Sequence, residues 1–239
     1  MRDMPVIETF ADRDAWAAAC AARIMETLVQ AVEADGAAFF AGSGGSTPAP
    51  VYRRMAEVGD VDWSRITTTL IDERYVPETS PDSNARLLKE TLSTGEAARA
   101  AFIPLFSPQV TVDRAALIAS RALDAVGRPL DAVLLGMGED GHICSMFPEN
   151  PALKQLLAPD NPPRVLAVGK SRSTSAPPQD RLSLNIPWLR GARRNILAIT
   201  GEAKRRVFEE KAAGDPTDTP IAALLQSGAE LEVLWTEAA

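Results

Sequence analysis

Short apolar runs in this 239-residue chain keep giving way to a glycine or a charged cluster, and then to a segment with helical spacing. The runs at 37–41, 66–71, 102–106, 131–135, 165–168, 195–199 and 231–235 read as strands. Segments with apolar residues three and four apart, at 12–34, 113–126, 202–213 and 220–226, separate several of them. In the first, Trp16, Cys20, Ile24, Leu28 and Val32 share one face, and Gly36 stops the pattern. Parallel strands need long crossovers, usually helices, so this alternation restricts the fold sharply. It predicts an α/β protein: a mostly parallel sheet flanked by helices on both faces. A further helix is expected to start near Pro48, and Asp82-Ser83-Asn84 supplies a cap before Leu87, Leu88 and Leu92. The least regular stretch, 158–180, is rich in Pro, Ser and Asn and reads as an excursion or mobile loop, a candidate for closing over a ligand. It does not read as a boundary, so residues 1–239 are expected to form one domain.

Composition narrows the functions. A hydrophobic fraction of 46% with 24% charged residues fits a globular protein with a sizeable core. A net charge of −7 argues against nucleic acid as a partner, which calls for a basic footprint, but leaves room for a local cationic pocket. Cys20 and Cys144 are too isolated for a disulfide framework or a metal site. The start Met1-Arg2-Asp3-Met4-Pro5 lacks a secretory pattern, and no apolar stretch reaches membrane-spanning length. A cytoplasmic protein without a membrane partner is the expectation.

His142, the only histidine, follows the apolar run 131–135 in the loop Gly136-Met137-Gly138-Glu139-Asp140-Gly141. Loops at the carboxyl ends of parallel strands line ligand crevices, and imidazole is the side chain suited to exchanging protons near neutral pH. A lone loop histidine with no role is the plainer alternative. Gly42-Ser43-Gly44-Gly45-Ser46-Thr47-Pro48 also follows a strand and opens a helix. Backbone N–H groups there, beside the hydroxyls of Ser46 and Thr47, suit a phosphate. It is neither a dinucleotide fingerprint, since Thr47 stands where a third glycine belongs, nor a nucleotide P-loop, which needs Gly-Lys-Ser/Thr. Asp72-Glu73-Arg74 ends another strand at the same rim, either as a ligand contact or as a surface ion-pair cluster. Arg181-Leu182-Ser183-Leu184 alternates as a strand does, with Arg181 and Ser183 on one face. Lys204 falls in a first helical turn, where a cation opposes the helix dipole unless an anion is bound.

Taken in order, these segments resemble the 6-phosphogluconolactonase family. The matching pieces are the glycine loop 42–48, Asp72-Glu73-Arg74-Tyr75-Val76-Pro77, Asp82-Ser83-Asn84, the run 135–142, Phe147-Pro148, Arg181-Leu182-Ser183, and Thr200-Gly201 with Lys204. The resemblance implies a Rossmann-like fold of the kind found in ribose-5-phosphate isomerase and glucosamine-6-phosphate deaminase. It also implies hydrolysis of 6-phospho-D-glucono-1,5-lactone, the second step of the oxidative pentose phosphate pathway, without a cofactor. By that likeness His142 is the catalytic histidine and Arg74 an active-site arginine. Asp140 holds the loop or orients the imidazole rather than acting as the base, and Gly44, Gly45, Ser46, Thr47, Arg181 and Lys204 hold phosphate, with Asp72 as a further substrate contact. The chain departs from the family pattern at Ser80, often a histidine, and at Ile143-Cys144, commonly Thr-Ala. A small sugar-phosphate lactone is the expected partner, bound by a monomer or homodimer.

Two alternatives stand beside this reading. The deaminase family shares the glycine loop and Asp-Gly-His, and Asp72 would be its base. That family has Asp-Glu-Tyr where Asp72-Glu73-Arg74 stands here, and Ala-Phe-Asn-Glu-Pro where this chain has Cys144-Ser145-Met146-Phe147-Pro148. A non-catalytic sugar-phosphate sensor on the same scaffold is the other.

Overall fold

The computed structural model describes residues 4–59, 61–170 and 178–238. Seven strands form the main sheet in the order β1 (Ile7–Phe10), β10 (Leu231–Thr236), β9 (Arg194–Thr200), β6 (Ala132–Leu135), β2 (Ala38–Gly42), β3 (Ile66–Leu70), β5 (Ala101–Phe102). Every neighbouring pair is parallel. The helices are α1 (Arg13–Asp35), α2 (Ala49–Ala56), α3 (Asn84–Thr91), α4 (Val112–Asp124), α5 (Leu153–Leu157), α6 (Ile186–Arg190), α7 (Glu202–Ala212) and α8 (Pro220–Gln226). A second, antiparallel sheet has the order β4 (Asp72–Arg74), β8 (Arg181–Leu184), β7 (Val165–Val168).

The expected parallel α/β architecture is therefore present. Helix α1 forms as its spacing predicts. Asp12 caps it by accepting from the Ala15 N–H at 2.8 Å, and Gly36 ends it at φ 76°. Trp16, Cys20, Ile24 and Leu28 are buried along one face, and the Trp16 indole donates to the Leu234 carbonyl at 3.0 Å, tying α1 to β10.

Two expectations need correction. The run at 102–106 yields only Ala101–Phe102 as strand, because Pro104 has no N–H to give the ladder. The excursion at 158–180 contains β7 where a strand was expected, at Val165–Val168, and packs it on β8. Its residues 171–177 lie outside the described residues, and with them part of the segment expected to close over a ligand. Second, a small antiparallel sheet accompanies the parallel one, which the strand pattern does not predict.

Strand order locates the crevice. From β2 the chain moves outward to β3 and β5 on one side, then returns to β6 and moves outward through β9 and β10 on the other. The connections that leave β2 and β6 diverge, so a gap opens beyond the carboxyl ends of these adjacent strands. The glycine loop and the histidine loop begin at those two ends. At the amino ends, Asp131 is fully buried and closes the sheet. Its carboxylate accepts from the Phe39 N–H at 2.7 Å and pairs with Arg128 and Arg193, both at 3.1 Å.

Candidate active site

A cleft of about 230 Å³ occupies the gap beyond β2 and β6. The glycine loop forms one wall. Ser43 is fixed from below, its carbonyl accepting from the buried Tyr52 hydroxyl of α2 at 2.6 Å. Gly44 lies so close to Asn84 that an added Cβ would sit 1.9 Å from the carboxamide oxygen. Gly45 takes φ +89°, a conformation that favours glycine. Beyond them Ser46, exposed, and Thr47, half-buried, also line the cleft before α2 begins.

The opposite wall comes from the small sheet, which extends β3 across the rim. Side chains alternate along β4, so Asp72 and Arg74 face the cleft while Glu73 turns inward. The Glu73 carboxylate accepts from the N–H groups of Arg74, Asn84 and Ala85, each at 2.8 Å, and from the Ser83 hydroxyl at 3.1 Å. It thereby closes the amino end of α3. Burial nonetheless raises its pKa above the ordinary carboxylate value, with these donors opposing.

Arg74 pairs directly with Arg181 in the antiparallel ladder. Two cations opposite each other across a ladder repel. The Arg74 guanidinium is tethered by Nη1 to the Asp82 carbonyl at 2.9 Å and to Asn84 Oδ1 at 2.7 Å. Arg181 is buried, and Asp72 is its nearest carboxylate at 3.8 Å. Burial holds Arg181 below its ordinary pKa, Asp72 opposes this, and the charge on Arg74 adds to it. In both arginines Nε is buried without a hydrogen-bond partner among the described residues. Lys204, half-buried at the start of α7, likewise has no ion-pair partner among them. Burial lowers its pKa, and Glu139 offsets part of that.

His142 completes the cleft from the loop after β6. Its Nδ1 is 2.5 Å from Asp140 Oδ1, which also accepts from the His142 backbone N–H at 3.2 Å. A carboxylate there assigns the proton to Nδ1 and leaves the Nε2 lone pair available. Gly138 abuts the ring: a Cβ on it would lie 2.3 Å from the imidazole.

The structure thus brings together His142, Arg74, Asp72, Gly44, Gly45, Ser46, Thr47, Arg181 and Lys204 around one cleft. Asp140 stands behind the imidazole and lines a separate hollow instead. Two residues at this site went unassigned by the sequence. Asn84 lines the cleft and joins three of its parts, accepting from Arg74, donating to the Asp72 carbonyl at 2.8 Å, and packing on Gly44. Ser145 donates to Asp72 Oδ2 at 2.5 Å and anchors that carboxylate from below. Asn84 lay in the recognised Asp-Ser-Asn motif, but a helix-capping role had already accounted for it. Nothing in the sequence singles out Ser145.

A wider hollow of about 770 Å³ near α5 and α8 is lined by Lys154, Asp160 and Arg190 with Thr217, Gln226 and Ser227, away from the imidazole. Among the described residues no group of three or more His, Cys, Asp or Glu could hold a metal ion. No helix among them is long and apolar enough to cross a membrane.

An imidazole held at Nδ1, three cations and a glycine loop at one rim of a parallel sheet make a candidate site for an anionic small molecule. Residues 11–235 match the family described as glucosamine-6-phosphate isomerases/6-phosphogluconolactonase. The chain is 41% identical over 232 residues to a 6-phosphogluconolactonase of Caulobacter vibrioides, covering 97% of each chain. It is 38% identical over 228 residues to one of Rhizobium meliloti, covering 95% of this chain and 96% of that one. The crystal structure of a 6-phosphogluconolactonase from Shewanella baltica superposes with a TM-score of 0.90 at 33% identity over 99% of both chains. The chain belongs to the 6-phosphogluconolactonase family, within the glucosamine-6-phosphate deaminase/isomerase superfamily.

Proposed function

We propose that the protein hydrolyses 6-phospho-D-glucono-1,5-lactone to 6-phospho-D-gluconate, with His142 as general base and then general acid. Lactone opening is acyl transfer to water. The Nε2 lone pair takes a proton as water attacks the ring carbonyl, and the imidazolium returns it to the departing ring oxygen. Asp140 holds the tautomer that makes this possible and does not itself touch substrate. Positioned acid–base catalysis of this kind contributes about 10²–10⁴-fold. The tethered Arg74 guanidinium is a donor for the developing oxyanion, worth about 3–4 kcal/mol if well aimed. Arg181, Lys204 and the glycine loop hold the phosphate and so fix the carbonyl against the water. The whole chain, 1–239, is read as one domain serving this site.

One observation carries the reading: Arg74 and Arg181 oppose each other in the ladder, beside a Lys204 with no ion pair among the described residues, around the chain's only imidazole. That repulsion persists in the free protein and is relieved by an anionic ligand. The deaminase alternative needs Asp72 as a free base, whereas its carboxylate is engaged by Ser145 and flanked by Arg181. The test is lactone hydrolysis corrected for spontaneous opening. His142→Ala is expected to lower kcat about 10²–10⁴-fold with little change in KM. Near-normal turnover in that variant would overturn the assignment. Release of ammonia from glucosamine-6-phosphate would favour the deaminase, and tight binding of 6-phosphogluconate without lactone opening would favour a sensor.

A further inference from the structure

Phe147 takes no part in the proton transfers or the anion contacts described above, yet its ring sits between the two working ends of the cleft. It is fully buried. Its centroid lies 4.3 Å from that of the His142 imidazole, with the planes inclined by 48°. The Arg181 guanidinium carbon lies over the same ring, 5.1 Å from its centroid, within cation–π range. Among the described residues, no other aromatic ring is paired with either group.

We propose that Phe147 is a positioning residue that sets the separation between the His142 imidazole and the Arg181 guanidinium. It thereby sets the preference for a lactone carrying its phosphate at a fixed reach from the carbonyl. The proposal rests on the lactonase reading above.

Arg74 and Arg181 show why such a spacer is needed. Hydrogen bonds to Asp82 and Asn84 fix Arg74. Among the described residues, Arg181 has one ion pair, the long contact to Asp72, and its Nε is unpartnered. The face of Phe147 is therefore a principal restraint on where that guanidinium rests. His142 is restrained at Nδ1 by Asp140, and the ring of Phe147 limits its tilt.

The spacer itself is held firmly. The Asn150 N–H donates to the Phe147 carbonyl at 3.2 Å, closing a turn over Pro148. Two residues upstream, the Ser145 N–H donates to the Ser183 hydroxyl at 3.2 Å. The segment is thus pinned to β8, the strand that carries Arg181. With both groups leaning on one rigid ring, imidazole and guanidinium cannot separate beyond the sum of the two contact distances.

The ring's rigidity, more than its volume, is the property at stake. Methionine fills a similar space but offers a flexible chain in place of a flat face. The experiment compares kcat/KM for 6-phospho-D-glucono-1,5-lactone with that for unphosphorylated D-glucono-1,5-lactone, in wild type and in Phe147→Met, with Phe147→Leu as a second variant. The ratio of the two is independent of how much protein is correctly folded. The expected result is a ratio lowered roughly tenfold or more, since small misplacements of a bound substrate have effects of that order. A merely structural role lowers both substrates by the same factor, and an unchanged ratio would overturn the spacer. A wild-type ratio near one would instead remove the phosphate site itself, so failure of the reading and failure of the spacer are told apart.

Discussion

The two rims of the main sheet use the same residue types to opposite ends. At the amino rim, Asp131 is surrounded by Arg128, Arg193 and the Phe39 N–H, and Asp35 pairs with both arginines. Every charge there has a partner, and the starts of β2, β6 and β9 are drawn together. At the carboxyl rim, Asp72 is similarly buried, but among the described residues it is the one carboxylate lining the cleft, against Arg74, Arg181 and Lys204. A matched cluster in the interior holds a fold together, since breaking a buried pair leaves an uncompensated charge. An unmatched one reduces stability and stores an attraction for whatever supplies the missing charge. The comparison separates structural electrostatics from functional electrostatics without appeal to which residues the family shares.

The largest expected effect lies at the matched rim. Asp131→Ala should cost about 3–5 kcal/mol of stability, read as a shift in denaturant midpoint. Turnover per folded molecule should stay near wild type, because the site lies at the other ends of the strands. A small stability change with a large loss of turnover would break the contrast between the rims.

Next comes Asn84, which binds three parts of the unmatched rim. Asn84→Asp keeps its shape and its acceptor for Arg74, but loses the donor to the Asp72 carbonyl and sets a second carboxylate beside Asp72. A fall in kcat/KM of about 10²-fold is expected, the scale of loss when a substrate-positioning group shifts. Wild-type kinetics would show that the Arg74 tether is dispensable.

Lys204→Met should move stability and binding in opposite directions. The lysine stands in the first turn of α7 with no ion pair among the described residues, so removing it relieves the helix dipole and part of its burial. Stability should rise by about 0.3–1 kcal/mol. Binding of 6-phosphogluconate should weaken roughly tenfold, about the worth of a hydrogen bond to a charged group. Loss of stability together with loss of binding would place Lys204 with the structural charges.

Much of this contrast could be read in the sequence, for identifiable reasons. The glycine loop and the histidine loop each follow an apolar run, and in a parallel sheet all such loops exit at one rim, so convergence of His142, Arg74 and Gly44 needed no coordinates. What local pattern could not give was non-local pairing. Strand β1 is a four-residue edge whose partner is the last strand of the chain. Strand β4 has three residues and exists because Asp72 meets Ser183 and Arg74 meets Arg181. No periodicity spans three residues, so the opposed arginines were invisible until the register was known. Ser145 and Phe147 were hidden differently: a turn serine carries no pattern, Phe147-Pro148 was legible as a motif but not as a ring with a task, and both roles come from what lies across the fold.

The smallest effect tests the unmatched rim by titration. Burial depresses the pKa of Lys204 below its ordinary 10.5, with Glu139 offsetting part of the shift. Lys204 therefore loses its proton at a lower pH than an exposed lysine, and its attraction for a phosphate goes with it. The phosphate monoester is fully ionised well above its second pKa near 6, so over the alkaline range only the protein changes charge. The affinity for 6-phosphogluconate, followed by calorimetry from about pH 7 upward, should fall severalfold before the ordinary lysine value is reached. Bound phosphate favours the protonated amine, so binding in that range should also take up protons, visible as heats that depend on the buffer. Lys204→Arg keeps its charge throughout and should flatten the alkaline fall. If the decline survives that substitution, the titrating group lies elsewhere, and Lys204 does not contribute the charge that sets this rim apart from the other.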